Sequence, residues 1–301
     1  MRSRSLVLFA ALAGVLSVGA SNDEFKAGDF VKQHLASIGP EQARGAVKNR
    51  GVSGTVSFRV VTGDTGGAEG KQVLVSEGDK LISLFQLPVP NYPGERFVSD
   101  GNKVFIAEIH AAAHSALGEF FMAHHEILTE GLWGGTLSTG WALAHMDRRL
   151  AKLEDRGLKK VDGRELHRVD YLPKKPSDLQ IELYFEPEAF RHVMTVYSCT
   201  TSPPMSRNRA EDGRQLDLHY RLEERFADFK SIDNLSLPSR WTIEFSSDRP
   251  GGISGFTGNR NSPLSNAREA LTRIYDFDVV ETSLSNNITI DPKIFEVEEV
   301  K

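Results

Sequence analysis

The chain is a mildly acidic polypeptide of 301 residues with a formal net charge of −5 and 40% hydrophobic residues. This composition is typical of a folded globular protein and unlike that of a disordered or fibrous chain. The surplus of acidic residues argues against a nucleic-acid-binding protein, which needs a basic surface to neutralise phosphates. The one cysteine, Cys199, excludes an intramolecular disulfide framework and any metal site built from several cysteines.

The first twenty residues have the pattern of a secretory signal peptide. Two arginines precede an apolar stretch, Leu6–Val18, and small residues lead to a cleavage point after Ala20. The apolar stretch is shorter than the ~20 residues that a membrane-spanning helix needs, so an uncleaved anchor is the less favoured alternative. We therefore predict a signal peptide over residues 1–20, a single domain over residues 21–301, and a periplasmic location.

Hydrophobic spacing predicts a helix at the start of the mature chain and paired strands after it. The apolar residues of Phe25–Ile38 share one helical face, and Gly39-Pro40 ends this segment. From Gly51 the period changes to two, because Val56 and Phe58 alternate with polar neighbours. Two turns with glycine predict antiparallel hairpins, whose strands are expected at residues 71–76, 80–86, 95–99 and 103–108.

A helical period interrupts the strands in the middle of the chain. The spacing predicts a helix within Ala111–Gly131 and a second helical piece over Thr139–Arg149. Strands then resume, and we expect them at residues 157–161, 164–172, 179–186, 190–200, 214–228, 237–247 and 268–282. Residues 202–212 and 248–266 are rich in Gly, Ser, Pro, Asn and Arg, which predicts two long exposed loops.

The motifs that suggest an enzyme are incomplete. His110 and His114 have the spacing of two zinc ligands on a helix, but Ala111 stands where a zinc protease has its general base. Adjacent imidazoles such as His124 and His125 point about 100° apart on a helix, so they are poorly placed to share one ion. We predict no metal, no cofactor and no catalytic residues, and hence a protein that is not an enzyme.

Two carboxylates and the cysteine have simpler interpretations. Glu182 and Glu186 are spaced like a glycosidase pair, but alternation on a half-buried strand places polar residues there without any chemistry. Cys199 lies in a predicted strand, and the sequence shows no histidine beside it to activate the thiol.

Local sequence pieces resemble a known family of lipid carriers. The segment GERFVSDGNKVFIAE, Gly94–Glu108, is similar to that family's strand, Asp-Gly turn and strand, and Val161–Tyr197 is similar to its run of three strands. Together with the order of elements, they make the chain resemble the periplasmic lipoprotein carriers LolA and LolB and the related LppX-like proteins. The resemblance implies a mainly β fold with some α: an incomplete antiparallel β-barrel, a strongly curved sheet, closed by a helical lid.

The resemblance also implies a function and a partner. Members of the family hold lipid acyl chains in an apolar interior, and an arginine on an early strand holds the lid; Arg59 is the candidate here. The expected ligand is therefore a lipid or the acyl chains of a lipoprotein. The resemblance also allows a protein partner in the inner or outer membrane. The alternative is an envelope protein with a structural or interaction role, whose core is filled.

A candidate lining for the ligand cavity follows from strand alternation and from the helical stripe. A normal packed core explains the same apolar residues, and composition does not choose between a cavity and a core. The predicted ligand-binding residues are Phe58, Val60, Phe85, Phe97, Phe105, Phe120, Phe121, Trp133, Trp141 and Trp241.

Overall fold

The computed structural model describes residues 25–60, 67–89, 92–109, 114–201, 218–247 and 272–297. The predicted signal peptide, both predicted long loops and His110 lie outside these ranges.

The described residues form one large antiparallel sheet and a separate hairpin. Their strands are β1 Asn49–Val60, β2 Gly67–Glu77, β3 Lys80–Gln86, β4 Glu95–Ser99, β5 Val104–Glu108, β6 Lys152–Val161, β7 Arg164–Leu172, β8 Gln180–Phe185, β9 His192–Thr201, β10 Leu218–Ala227, β11 Lys230–Ile232, β12 Leu235–Leu237, β13 Arg240–Ser247 and β14 Thr272–Asn286. Twelve of these strands form the sheet, in the order β5-β4-β3-β2-β1-β14-β13-β10-β9-β8-β7-β6, and β11 pairs with β12.

The predicted fold class is confirmed, because the protein is mainly β and its curved sheet is not closed into a barrel. Strands from the first and second halves of the chain meet at the β1–β14 pair, where Phe58 lies opposite Phe277. Alternation places Val56 and Phe58 on the face of the sheet that packs against the helices, and it exposes Ser57 and Arg59. We call the face that packs against the helices the inner face.

Tight turns join neighbouring strands as the sequence predicts. The β6–β7 hairpin turns at Asp162 and Gly163, which have φ angles of +48° and +81°. Asp-Gly accommodates such positive angles at both central positions of a two-residue hairpin loop. The β2–β3 turn at Gly78 and the β4–β5 turn at Gly101 also have positive φ at glycine.

The helices are short. Helix α1, Ala27–Ile38, packs on the sheet through Phe30, whose ring meets that of Phe185 at 4.9 Å in an edge-to-face arrangement. Helix α2, Glu41–Gly45, follows after one turn. A two-stranded β11–β12 hairpin, which the sequence analysis missed, lies against the end of α1: a Cβ on Gly39 would be 2.6 Å from the carbonyl oxygen of Asn234.

The middle of the chain, residues 114–150, forms a segment that we call the insert. The predicted helix over Ala111–Gly131 is wrong as a continuous element in the described residues, because His124 leaves helical geometry and divides it. The helical segment predicted over Thr139–Arg149 is also shorter than expected, because it begins only at Ala142. The insert contains α3 Ala116–Ala123, α4 Glu126–Thr129, 3-10 turns at Gly135–Leu137 and Ala142–His145, and α5 Met146–Arg149.

One large hydrophobic core lies between the inner face, α1 and the insert. A second, small cluster lies on the outer face and contains Leu166, Tyr184, Val193, Met194 and Val196. Most of the buried apolar surface therefore depends on the helical elements staying in contact with the sheet.

Two glycines with positive φ allow a direct test of close packing. Gly94 precedes β4 with φ +109°, and a Cβ there would lie 1.8 Å from the carbonyl oxygen of Phe85, whereas Gly78 has φ +58° and open space around it. Backbone strain alone costs each Gly→Ala variant roughly 1–2 kcal/mol. We expect Gly94→Ala to lower the free energy of unfolding clearly more than Gly78→Ala in urea titrations. Equal losses would contradict the packing described at Gly94.

Candidate functional site

The inner face is lined with aromatic rings, and the insert covers them. Phe121 lies 4.7 Å from Phe97 and 4.9 Å from Trp133, measured between ring centroids. Trp133 in turn meets Trp241 of β13 edge-to-face at 4.9 Å. Side chains of the insert therefore occupy the space in front of the sheet, in direct contact with the strand residues.

Eight of the ten predicted lining residues belong to this interior: Phe58, Phe85, Phe97, Phe120, Phe121, Trp133, Trp141 and Trp241 are all buried in the main core. Phe105 does not, because it is opposite Val98 in the β4–β5 pair and lies on the outer face under the guanidinium of Arg96. Ile106, one residue later, takes the inward position. Val60 falls at an inward register position, and its side chain lies outside the described part of the chain.

A buried carboxyl group joins the insert to two strands. Glu224 of β10 accepts a hydrogen bond from the backbone N–H of Gly134 at 2.8 Å and from the indole N–H of Trp241 at 3.0 Å. Its other oxygen accepts from the hydroxyl of Tyr197 at 2.8 Å. Burial raises the pKa of Glu224 to about 8, although all three donors favour the charged form.

A second buried carboxyl group holds the beginning of α3. Glu95 of β4 accepts hydrogen bonds from the hydroxyls of Tyr92 and Ser115, and Ser115 accepts from the backbone N–H of Gly118 as the N-cap. Gly118 leaves the room for this contact, since a Cβ there would lie 2.7 Å from a carboxyl oxygen of Glu95. Burial raises the pKa of Glu95 to about 7.

An arginine of the first strand also holds the insert, and it is Arg50 rather than Arg59. Arg50 donates from Nη1 to the carbonyl oxygens of Thr136 at 2.7 Å and Leu137 at 3.4 Å, and from Nε to Asn286 at 2.8 Å. Arg59 faces outward and pairs with Asp276. The sequence analysis excluded Arg50 because it began the strand at Gly51, whereas β1 begins at Asn49.

Further polar contacts hold the C-terminal end of the insert. Arg149, which is largely buried, donates to the carbonyl oxygens of Thr129 and Gly140, both at 2.8 Å, and pairs with Asp79. His34 of α1 accepts from the indole N–H of Trp141 at 2.8 Å. The insert is thus fastened at its start, middle and end, and further hydrogen bonds join Glu130 to Tyr171 of β7 and Thr139 to Ser76 of β2.

Two pockets open at the margins of this interior. One, of about 690 Å³, lies beside β6, β7 and β8 and is lined by alternating charges together with Tyr171 and Ile181. The other, of about 370 Å³, lies between α1, α2 and the insert, with Arg50 and Trp141 in its wall. Trp141 is therefore the predicted lining residue that also borders a described pocket.

The structure corrects one expectation about the cysteine, because a histidine does lie beside Cys199. This histidine is His124, which is buried, as Cys199 is, and the sequence did not reveal that the two are neighbours. His125 is exposed. Glu182 and Glu186 form ion pairs with outward-facing arginines. In the ranges that the structure describes, no group of three or more potential ligands is arranged to hold a metal ion. None of the described helices has the length and apolarity needed to cross a membrane.

Comparisons with known proteins identify relatives of the fold only. No family model and no curated protein matches the chain. Similar solved structures include a DUF1329 family protein from Desulfovibrio piger (12% identity, 90% of this chain and 97% of that one, TM-score 0.46). A LolA superfamily protein from Nitrosomonas europaea is also similar, with 12% identity, coverage of 91% of this chain and 98% of that one, and a TM-score of 0.44. An outer membrane lipoprotein-sorting protein domain from Vibrio parahaemolyticus, described as putative, has 9% identity, coverage of 90% of this chain and 97% of that one, and a TM-score of 0.45.

The role of Arg50 can be tested without a ligand. We expect Arg50→Gln to accelerate amide hydrogen exchange at Gly135, Thr136 and Leu137 by roughly tenfold or more, because hydrogen bonds to a charged group contribute about 1.5–3 kcal/mol. Arg59→Gln, on the same strand but facing outward, should leave these amides unchanged. Equal protection in the two variants would show that Arg50 does not hold the insert.

The pH dependence of stability tests the buried carboxyl of Glu224. Its pKa is higher in the folded state than the ordinary 4.5, so the folded protein binds this proton more tightly than the unfolded chain does. The free energy of unfolding should therefore fall as the pH rises from about 4.5 to about 8. Glu224→Gln keeps an acceptor for Gly134 and cannot ionise, so we expect a flatter profile in urea titrations.

The exposed Glu165 supplies the control, because Glu165→Gln should keep the wild-type slope. A Glu224→Gln profile as steep as that of the wild type would contradict this assignment.

Proposed function

We propose that the protein is a non-enzymatic periplasmic carrier or binding protein for a lipidated or otherwise apolar ligand. The observation that carries the proposal is the insert: an aromatic inner face is covered by short helical pieces that a few polar contacts hold in place. In this proposal the insert moves aside and the ligand takes the place of its side chains against the sheet.

The side chains that would be replaced are chemically equivalent to a lipid tail. Ile127, Leu128, Leu132 and Leu137 are completely or almost completely buried and carry no polar group. An acyl chain gains ~0.8 kcal/mol for each CH₂ removed from water, so half of a sixteen-carbon chain supplies about 6 kcal/mol before ordering costs. This amount is comparable to the cost of releasing two or three buried hydrogen bonds.

Compartment and partners follow from the sequence. The predicted signal peptide over residues 1–20 would deliver a single domain, residues 21–301, to the periplasm. Lipid or lipoprotein acyl chains are the ligand class that the family resemblance implies. A membrane protein that delivers or accepts such a ligand is the corresponding partner.

A second candidate is an envelope protein with a structural or interaction role. The close contact between the insert and the strands favours it, because the rings of Phe97, Phe121, Trp133 and Trp241 follow one another at 4.7–4.9 Å. In that case the insert would never leave the sheet, and the interior would be a permanent core.

A variant that weakens the insert separates the two functions. If a ligand binds only when the insert has moved, its apparent affinity is reduced by the small open fraction, and Arg50→Gln should raise the affinity for an apolar fluorescent probe several-fold. Leu166→Ala provides a matched control, since it removes packing from the outer cluster and leaves the insert untouched. A permanent core predicts no binding by the wild type and no gain from Arg50→Gln beyond that from Leu166→Ala.

Material that copurifies with the protein gives an independent measurement. Protein isolated from its own cell envelope should carry lipid or an acylated polypeptide that mass spectrometry identifies after extraction. Protein isolated in this way without any apolar ligand, and without uptake of the probe, would count against a carrier.

A further inference from the structure

The smaller pocket has features of a binding site in its own right. It lies where α1 and α2 meet the insert, and its volume of about 370 Å³ is within the usual range of ligand sites. Four separate segments form its wall: the end of α1 with α2, the beginning of β1, the insert from Thr136 to His145, and Leu235 of β12.

Two arginines line this pocket. Arg50 is buried, and burial lowers the pKa of its guanidinium to about 10, so the group remains a cation at neutral pH. Arg44 donates from Nε to the carbonyl oxygen of Gly39, which leaves its terminal nitrogens without a partner among the described residues. The hydroxyl of Thr136 is buried and also has no partner in the described structure. Donors that lack acceptors are therefore concentrated in one place.

Acidic groups around the pocket balance this charge only in part. Glu41 lies in its wall, and Glu281 and Asp233 lie close enough to interact with Arg50. Burial raises the pKa of Glu281 to about 8, which disfavours its charged form. Asp233 already accepts a hydrogen bond from Asn286. His145 also lines the pocket, and burial lowers its pKa, which keeps the imidazole neutral.

The remaining wall is apolar. Leu35, Ile38, Val47, Trp141, Ala144 and Leu235 contribute hydrocarbon surface beside the two guanidinium groups. A free inorganic anion would bind the arginines and leave this apolar surface exposed to water. An amphiphile whose anionic head adjoins an alkyl chain would use both parts.

We infer that this pocket binds the anionic head of an amphiphilic ligand, a carboxylate or a phosphate ester, through Arg44 and Arg50. The inference rests on the proposed function and names the chemical class of its ligand. An anion beside Arg50 competes with the carbonyl oxygens of Thr136 and Leu137, because a guanidinium binds a carboxylate or a phosphate more strongly than it binds neutral carbonyl oxygens. Head-group binding thereby loosens the insert and admits the chain to the inner face.

Titration calorimetry on the purified protein, with all amphiphiles below their micellar concentrations, tests this inference. The ligands are dodecyl phosphate, laurate, dodecyl maltoside and inorganic phosphate. We expect the two anionic amphiphiles to bind about tenfold more tightly than the maltoside. Arg44→Gln should remove this preference, whereas replacing Arg164, an exposed arginine of β7 outside the pocket, by glutamine should have no effect.

Hydrogen exchange supplies the second readout. Dodecyl phosphate should accelerate exchange at Gly135, Thr136 and Leu137 in the wild type, and this acceleration should be smaller in Arg44→Gln.

Each other result has a definite meaning. Equal affinity for anionic and neutral amphiphiles, unchanged by Arg44→Gln, overturns the head-group site and leaves the proposed function standing. Binding of inorganic phosphate as tight as that of dodecyl phosphate identifies a site for a free anion and overturns the amphiphile. No binding of any amphiphile overturns the proposed function itself.

Discussion

The hydrogen bonds of one buried carboxyl group, that of Glu224, determine how the insert lies on the sheet. Its two oxygens accept from β9, from β13 and from the backbone of the insert. Leaving a buried polar group without a partner costs about 1–3 kcal/mol or more, so the position in which Gly134 of the insert donates to this carboxyl is favoured over its alternatives. The aromatic contacts around it supply more buried area but much less direction.

This division between apolar and polar contacts bears on function. Apolar contacts between the insert and the inner face are non-directional, and a hydrocarbon chain can replace them at similar free energy. The polar contacts of Glu95, Glu224 and Arg50 have no such substitute in a lipid tail. In the proposed carrier they would therefore set the free energy of opening, while the rings would set the affinity for the ligand.

Arg50 contacts both the insert and the pocket beside α2. It belongs to the central strand β1, holds the 3-10 turn of the insert through two carbonyl oxygens, and borders the pocket beside α2. A residue with these three contacts can couple occupation of the pocket to the position of the insert, because its guanidinium cannot satisfy an anion and both carbonyls equally well at once.

The sequence by itself determined most of the strands, the hairpins with glycine turns and the mainly β architecture, because a period of two and such turns are local signals, but it missed the short β11–β12 hairpin. It also placed Phe121, Trp133 and Trp241 in the interior. Only the tertiary structure decided that Phe105 faces outward, that Arg50 rather than Arg59 holds the insert, and that Glu95 and Glu224 are buried. A one-residue difference in register reverses the face of a side chain, and a buried carboxyl has no local signature, since its donors come from segments distant in sequence.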